Sequence, residues 1–537
     1  MSILSDMLGQ QYDLTVLKHL LGSLSVAFIL TFTLRAFLSW NRLRHIPGPL
    51  LPSLTNLPRV FWVKTGQSQE CYKQLHEKYG EVVRLGPNMV SISNPEVIPI
   101  LYPTRPGFPK SDLYATLRPY SRDNNGLKVV FNTQDEKLHK QIKSPIAPLY
   151  SLTNTVTFEP LIDEVLICFE EQLNKKFSGT GATFNFGDYL QFFAFDVMGT
   201  LTFSKRYGFL ETGKDVHGIL AAIWSHWKGS AVVTQITWAD PIVSRNRFVR
   251  AFRKTGGMAI IGYIDSVLKE RVRERNSIRS TKGKTSGGTP ISKSRHADFL
   301  DHFLTAKEEN PDLPPWAPTA WMFSNVLAGS DSAATVIRTV MCGVLQSSLT
   351  RMFSSFHNLL CNPDTLEKLY QELSGAGVSM PYPRWAEVCN LPYLDACVQE
   401  GIRLHPPFSF HFERVVPRGG IEVLGKFLPE GTVVGGNPWV TNRHEGTFGR
   451  NPDTWNPERW LTGGDAHRRE LEKMLLTFGA GRRVCLGKHI GILELKKVVP
   501  FLVMNYKMQV VDPEAFRAEN ALFFRQEGFF AKLERHA

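Results

Sequence analysis

The chain has 537 residues, 43% hydrophobic and 11% aromatic, with 62 Lys and Arg against 50 Asp and Glu for a net charge of +12. Such content fills one large core, and the basic residues are spread along the chain instead of gathered in an arm with interleaved aromatics, which argues against nucleic acid and for a membrane surface or an acidic protein partner. Seven cysteines at irregular spacings and no Asn-x-Ser/Thr acceptor exclude a disulfide-framed secreted domain and place the main body on the cytosolic side.

Leu20 to Leu34 is apolar apart from Ser and Thr, and with the continuation to Trp40 it reaches the roughly 20 residues a membrane helix needs. Asp6 and Asp13 precede it, where a cleaved signal would carry a basic start, so it reads as a retained anchor. Arg42, Arg44 and His45 follow it, which predicts a single pass with the body in the cytosol. Ile46-Pro-Gly-Pro49 then forbids helix and makes a stiff hinge, dividing the chain into an anchor, residues 1–45, and one catalytic domain, 46–537. Tyr72 to Tyr79 has helical spacing, and Val82 to Leu85 with Val90 to Ile92 reads as a hairpin.

Phe108 to Phe131 is irregular and aromatic by turns, as suits a loop closing over a cavity. His139 and Lys143 lie four apart on a predicted helix, where residue chemistry alone gives a solvated face. Helical spacing continues from Phe158 to Arg275, and Lys269 to Arg295 is rich in Ser, Gly, Lys and Arg, predicting a surface loop. Gly283-Lys-Thr285 inside it lacks the first glycine of a phosphate loop, Ile278 standing there. Pro318 opens a helix expected to run to about His357, apolar all round from Trp321 to Leu345 and therefore central. An Asp in such a helix, Asp331 of Ala328-Gly-Ser-Asp-Ser332, is costly without a partner or a task. Glu400 and Arg403 are spaced as an i, i+3 ion pair, and Ile421 to Leu424 and Thr432 to Val434 read as strands.

The most informative stretch is Phe478-Gly-Ala-Gly-Arg-Arg-Val-Cys-Leu-Gly487. Gly479, Gly481 and Gly487 let backbone approach a flat partner, while Arg482, Arg483 and Lys488 favour a thiolate at Cys485. A dinucleotide loop fails because Val484 stands where its third glycine belongs. A zinc site lacks half its ligands, since the nearest other cysteine is Cys397 and His489 completes only one pair. A single thiolate suits haem iron. Phe478, Gly481, Arg483, Cys485 and Gly487 occupy every defined position of Phe-x-x-Gly-x-Arg-x-Cys-x-Gly, and on these residues the chain resembles the cytochrome P450 superfamily.

The resemblance implies a mainly α fold with small β-sheets (α+β) behind one transmembrane helix, haem b with Cys485 as axial ligand, and Phe478, Gly481, Arg483 and Gly487 around it. It implies propionate contacts from His139, Lys143 and Arg414, with Lys143 standing where the family has Arg. It further implies a proton relay by Asp331 and Ser332, with Ser332 replacing the usual Thr and Thr335 in reserve, and a groove opened by Gly329. Glu400, Arg403 and Arg459 of Asn456-Pro-Glu-Arg459-Trp460 match the family's structural triad. The expected activity is O2-dependent oxidation of a lipophilic small molecule, terpenoid, polyketide or fatty acyl, with electrons from an NADPH-dependent diflavin reductase at the endoplasmic reticulum membrane. No nucleic acid is expected. Cavity walls are expected from Phe108 to Leu127, Phe408 to Phe412 and Leu522 to Phe530. Pro145-Ile-Ala, Tyr150-Ser151, Gly436-Asn-Pro-Trp439 and Pro457-Glu-Arg-Trp460 resemble the fungal secondary-metabolism branch that includes pisatin demethylases. The alternatives are a haem-thiolate hydroperoxide isomerase or dehydratase and a non-catalytic haem-binding protein, neither of which needs a proton relay.

Overall fold

The structure, a computed structural model, describes residues 14–105, 107–119, 126–243, 246, 256–282, 297–342 and 358–536. Helix α1 (Leu14–Arg42) carries Leu24, Leu30, Phe32 and Phe37 exposed, and its His19–Arg42 portion, at mean hydropathy 1.8, is long and apolar enough to cross a membrane. Its exit is fixed by a residue that sequence spacing does not single out. Buried Arg84 donates to the carbonyls of Ser39 at 2.9 Å, Trp40 at 3.0 Å, Ser53 at 3.1 Å, Gly86 at 3.1 Å and Pro87 at 2.8 Å, so one guanidinium ties the last turn of α1 to the first strands. Gly48 in the hinge has to be glycine, because a Cβ there would stand 2.4 Å from the Arg84 carbonyl oxygen.

Strands β1 (Val82–Gly86) and β2 (Met89–Ile92) form the expected antiparallel hairpin behind the helix Ser68–Tyr79, with Val82 opposite Ile92. Next come α2 (Glu136–Lys143), α3 (Phe186–Phe203), α4 (Ile219–Val233) and α5 (Gly256–Lys282). The stretch from Lys269 read as a loop therefore begins as helix. Its Lys and Arg residues are good helix formers, and the Gly- and Ser-rich part falls in 283–296, outside the described residues.

Helix α6 (Ala317–Met341) runs through the centre, 19 of its 25 residues buried, which is why its sequence is apolar all round. It ends at Met341 rather than near His357, where Cys342 turns to an extended conformation, and 343–357 lie outside the described residues. Around it pack α3, α5, α8 (Pro392–Leu404, after α7, Pro363–Gly375) and α10 (Lys488–Asn505), while α9 (Gly464–Met474) lies outside. Strands β3 (Arg414–Val415) and β4 (Val433–Gly436) complete the first sheet in the order β1-β2-β4-β3, with β2 parallel to β4 and Arg414 opposite Val434. Ile421–Val423 pairs instead with Lys426–Leu428 as a separate hairpin. The C-terminus adds β5 (Tyr506–Val510), β6 (Arg517–Ala521), β7 (Phe523–Glu527) and β8 (Phe530–Arg535). The tight β6/β7 turn at Leu522 brings Phe523 back to a β-bridge with Phe408. The fold is mainly helical with small sheets, as the sequence implied.

Candidate active site

Cys485 stands at the N-terminus of α10, in a loop held by its own backbone. Its N–H donates to the Phe478 carbonyl at 2.8 Å, Gly479 N–H to Leu476 O at 2.8 Å and Val484 N–H to Gly481 O at 3.1 Å. Burial pushes the thiol up from its ordinary value, opposed by the backbone N–H groups of Gly487 and Lys488 and by the charges of Lys488 and Lys143. Cys485 is nonetheless exposed: enclosed by protein, it opens into an internal space instead of packing against side chains. Arg482 and Arg483, expected to charge the sulfur, turn to Glu136 instead, with Arg482 Nε 3.2 Å from one oxygen and Arg483 Nη2 2.5 Å from the other. The Phe478 ring lies under Lys488, whose Nζ is 5.5 Å from its centroid.

Two of the loop glycines serve different ends. Gly481 answers to the protein itself: its φ is +60°, and a Cβ would fall 2.0 Å from the Tyr102 carbonyl oxygen. A Cβ on Gly487 would meet no protein atom within 4 Å, so its smallness answers to nothing in the chain, as befits a position against a flat ligand.

Beside this loop lies a cluster of cations with little to neutralise it. Asp135 caps α2 by accepting from the N–H of Lys137 at 2.8 Å and of Leu138 at 3.2 Å, which sets the phase that turns His139 inward. His139 is buried, its Nδ1 has no partner, and burial together with Arg483, Lys110, Lys143 and Arg482 drives its pKa down to about 2. Lys143 Nζ donates to the Arg482 carbonyl at 2.8 Å, and its pKa too is lowered, by burial and then by Arg483 and Arg482. Arg414 Nη1 donates to Glu413 O at 2.9 Å and reaches the Tyr114 hydroxyl at 3.4 Å.

Lys110 was not legible as a site residue, since a single lysine in a loop reads as surface. It is buried, bridges in backbone to Arg414, donates to the Phe131 carbonyl and stands 4.0 Å above the Tyr114 ring. Burial, Arg414 and Arg483 hold its pKa well below that of an ordinary lysine. Against Lys110, His139, Lys143, Arg414, Arg482 and Arg483 stands chiefly the carboxylate of Glu136. A cavity of about 190 Å³ opens beside them, lined in part by Phe108, Glu136, Arg414, Arg482 and Arg483. Surplus positive charge, an unpartnered imidazole nitrogen and a thiol facing open space fit a flat ligand with a thiolate-seeking metal and anionic edge groups, which is the chemistry of haem.

On α6, Ala328 is exposed and Ser332 partly so, amid buried neighbours, so this turn also faces open space. The space that Gly329 leaves is taken by a side chain of the protein. A Cβ at Gly329 would meet Met198 of α3 at 2.7 Å, so that glycine permits close helix packing. Ser332 Oγ donates to Ala328 O at 2.5 Å, whereas Thr335 is buried and donates to Asp331 O at 2.8 Å. The Asp331 carboxylate accepts from Gln191 Nε2 at 2.6 Å, and Gln191 Oε1 in turn accepts from Arg338. Burial raises the Asp331 pKa to about 6, against the pull of Arg338 and the Gln191 hydrogen bond. Tyr150 connects the two halves, its hydroxyl donating to Asn325 of α6 at 2.6 Å within electrostatic reach of Cys485.

Four aromatic rings form a chain of contacts near these elements. Phe131, Phe408, Phe523 and Trp227 follow one another at 5.8, 5.8 and 5.0 Å between centroids, drawn from two loops, β7 and α4. Two of the expected wall segments, around Phe408 and Phe523, thus meet. In the third, Phe108 to Leu127, residues 120–125 lie outside the described residues.

Glu400 and Arg403 form a fully buried pair, not the surface pair their spacing allows. Arg403 Nε and Nη2 each donate to Glu400 at 2.8 Å, Arg459 Nε at 3.0 Å and Trp460 Nε1 at 2.9 Å. Burial pushes the carboxyl up, but Arg403 and Arg459 outweigh it and hold the pKa below the ordinary value. The knot reaches the thiol loop through Asn442, whose carbonyl accepts from Arg403 at 2.9 Å and whose amide donates to Thr477 Oγ1 at 2.7 Å.

A family model described as Cytochrome P450 matches residues 47–532. The chain is 53% identical over 514 residues to cytochrome P450 monooxygenase mfmA of Annulohypoxylon moriforme, covering 95% of this chain and 96% of that one. It is 49% identical to cytochrome P450 monooxygenase pkfB of Emericella nidulans, covering 92% of each. Cytochrome P450 monooxygenase mpaDE of Penicillium brevicompactum, 49% identical over 95% of this chain, is longer, and the match spans 57% of it.

Proposed function

Because the chain belongs to the cytochrome P450 family of oxidoreductases, we propose that it is a membrane-anchored haem-thiolate monooxygenase of fungal secondary metabolism that oxidises a lipophilic small molecule. The observation that carries this reading is Cys485 before α10, exposed although protein surrounds it, in a loop beside a cation cluster for which Glu136 is the principal counter-charge. Haem b, when bound, supplies reductive activation of O2.

The rest is the work of the chain. Cys485 would hold the haem iron through its sulfur, and coordination to a metal would supply the deprotonation that burial opposes. Lys110, His139, Lys143, Arg414 and Arg483 would hold the two propionates, with His139 Nδ1 free to make a hydrogen bond. Asp331, with a pKa of about 6, can both take up and release a proton near neutral pH. Ser332 is the relay alcohol: its hydroxyl turns from Ala328 O toward the open side, whereas that of Thr335 is buried. Phe131, Phe408, Phe523 and Trp227 exclude water and favour an apolar substrate. Residues 1–45 anchor the chain in the endoplasmic reticulum membrane with the domain 46–537 in the cytosol, where an NADPH-dependent diflavin reductase delivers electrons.

The test is spectroscopic and then catalytic. Reduced protein treated with carbon monoxide is expected to show the thiolate-haem band, and Cys485→Ala to lose it. A band retained in Cys485→Ala would sink the assignment. With reductase and O2, NADPH oxidation is expected to depend on added lipophilic substrate.

A further inference from the structure

Asp331 is held from a neighbouring helix, and simple donor and acceptor chemistry sets the direction of that hold. Gln191 lies on the second turn of α3, which packs along α6. Its side-chain amide has a donor end and an acceptor end, either of which could face a carboxyl group. Arg338, about two turns beyond Asp331 on α6, decides between them. A guanidinium has donors only, and Arg338 gives one to Gln191 Oε1 and another, from Nε, to the Gly187 carbonyl at 2.7 Å. The carbonyl end of Gln191 is therefore taken, and its NH2 end is left for Asp331 Oδ1, 2.6 Å away. Arg338 is itself buried, with the surface carboxylates of Asp188 and Glu527 and the guanidinium of Arg525 in its field. On the α4 side stands Trp227, whose indole N–H is near enough to favour the ionised carboxylate yet has no hydrogen-bond partner. Among the described residues no hydrogen bond holds Asp331 Oδ2.

A carboxyl oxygen that accepts an N–H serves as the carbonyl oxygen, and the acid proton goes to the other one. We propose that Gln191 is a positioning residue for the proton relay: by occupying Oδ1 it confines the Asp331 proton to Oδ2, the oxygen turned away from Gln191. The proposal rests on the relay role given to Asp331 above and adds what aims it. Arg338 acts one step further back, since it fixes which end of the amide Asp331 meets. Without Gln191 either oxygen can carry the proton. The carboxyl also loses a bond that favours its ionised form, so the proton is held more tightly and aimed less well.

The first readout needs no turnover. A carboxyl pKa raised by folding adds stability that is fully present below the unfolded value and is lost as pH rises through the folded one. In Gln191→Met the folded value is expected to climb further. Thermal unfolding of the full-length protein across pH should then go on losing stability to a pH about one to two units higher than in the wild type. The second readout is reductase-driven turnover with O2. Gln191→Met is expected to send several-fold more of the NADPH electrons to hydrogen peroxide, with the carbon monoxide band unchanged. Combining it with Asp331→Asn should be no worse than Asp331→Asn alone, because Gln191 acts through Asp331. Gln191→Glu, the same in shape, sets two carboxyl groups side by side and is expected to move both readouts the same way, so it decides where Gln191→Met does not fold. The proposal is overturned if the pH profile of stability stays that of the wild type, or if the double variant releases more peroxide than Asp331→Asn. A shifted profile with unchanged peroxide would equally overturn it, Gln191 then holding an acid that lies outside the relay. Absence of the carbon monoxide band from the wild type would instead sink the haem-thiolate reading, and the stability profile would still judge Gln191.

Discussion

Buried charge meets two opposite settings in this fold. Around Glu400 both carboxylate oxygens accept hydrogen bonds, from Arg403, Arg459, Trp460 and the N–H of Asn456, and nothing further is needed from outside the chain. Around Lys110 the cations crowd one another, a histidine nitrogen is unpartnered, and Glu136 is the principal counter-charge. The difference separates two uses of the same chemistry. A satisfied knot holds the fold, whereas an overcharged cradle costs free energy until an anion completes it.

Removing one member of the knot is the severest way to break the comparison. Glu400→Gln leaves Arg403 and Arg459 in the interior without their counter-ion, a loss of roughly 3 to 5 kcal/mol. Urea unfolding of the variant is expected to show that loss with or without haem. A change below about 1 kcal/mol would mean the knot is dispensable.

In the cradle the sign should depend on the ligand. Lys110→Met removes a buried amine repelled by its neighbours, so the haem-free chain is expected to be no less stable than the wild type, or more so. The haem-loaded protein should lose a charge-assisted bond of about 1.5 to 3 kcal/mol and release haem to a scavenger about tenfold faster or more. Equal destabilisation in both states would place Lys110 with the knot.

Asp331 offers a subtler version, because pH sets its charge. Its carboxyl pKa is raised in the fold to about 6 from 3.8. The stability this contributes is fully present below the unfolded pKa and is lost as pH rises through the folded one, leaving a buried carboxylate that opposes folding. Asp331→Asn is therefore expected to gain about 3 kcal/mol over the wild type above about pH 6 and nothing below pH 3.8, followed by thermal unfolding across pH. In turnover it should retain haem yet divert electrons to peroxide. Unchanged product per NADPH would remove Asp331 from the relay.

What the sequence could express was whatever is local. The thiolate loop, the hairpin at Val82–Ile92 and the Glu400/Arg403 spacing lie within ten residues or so, and chain geometry alone brings their members together. Lys110 and Gln191 act on partners hundreds of residues away or on another helix, and no short-range pattern marks them. The Lys269 stretch shows the opposite error, in which composition suggested a loop but residues of good helix propensity continued α5 to Lys282. Gly329 is a third case. Its motif was visible, but whether the missing Cβ faces a ligand or Met198 depends on how α3 packs.

The smallest expected effect concerns the two cations flanking Cys485, which sequence treats alike and the fold sets apart. Arg482 is paired with Glu136 and borders the cradle cavity. Lys488 borders a different cavity of about 390 Å³ on the thiol-loop face, lined also by exposed Val484 and by Arg469, Lys473 and one acid, Glu472, of α9. Charges there would steer an acidic flavin domain, raising the association rate more than the final affinity. Such steering fades with salt, since the Debye length falls from about 10 Å at 0.1 M to about 3 Å at 1 M. Lys488→Glu is thus expected to slow reductase-driven haem reduction several-fold more at low salt than at high salt, the part that salt does not remove reporting its charge beside the Cys485 sulfur. Arg482→Glu should instead behave as a cradle variant, setting two carboxylates side by side with Glu136 and weakening haem retention at any salt concentration. Stopped-flow reduction and haem transfer, measured on both variants, separate the two roles. If both slow reduction alike and both keep their haem, Arg482 belongs to the docking face and the cradle ends at Arg483.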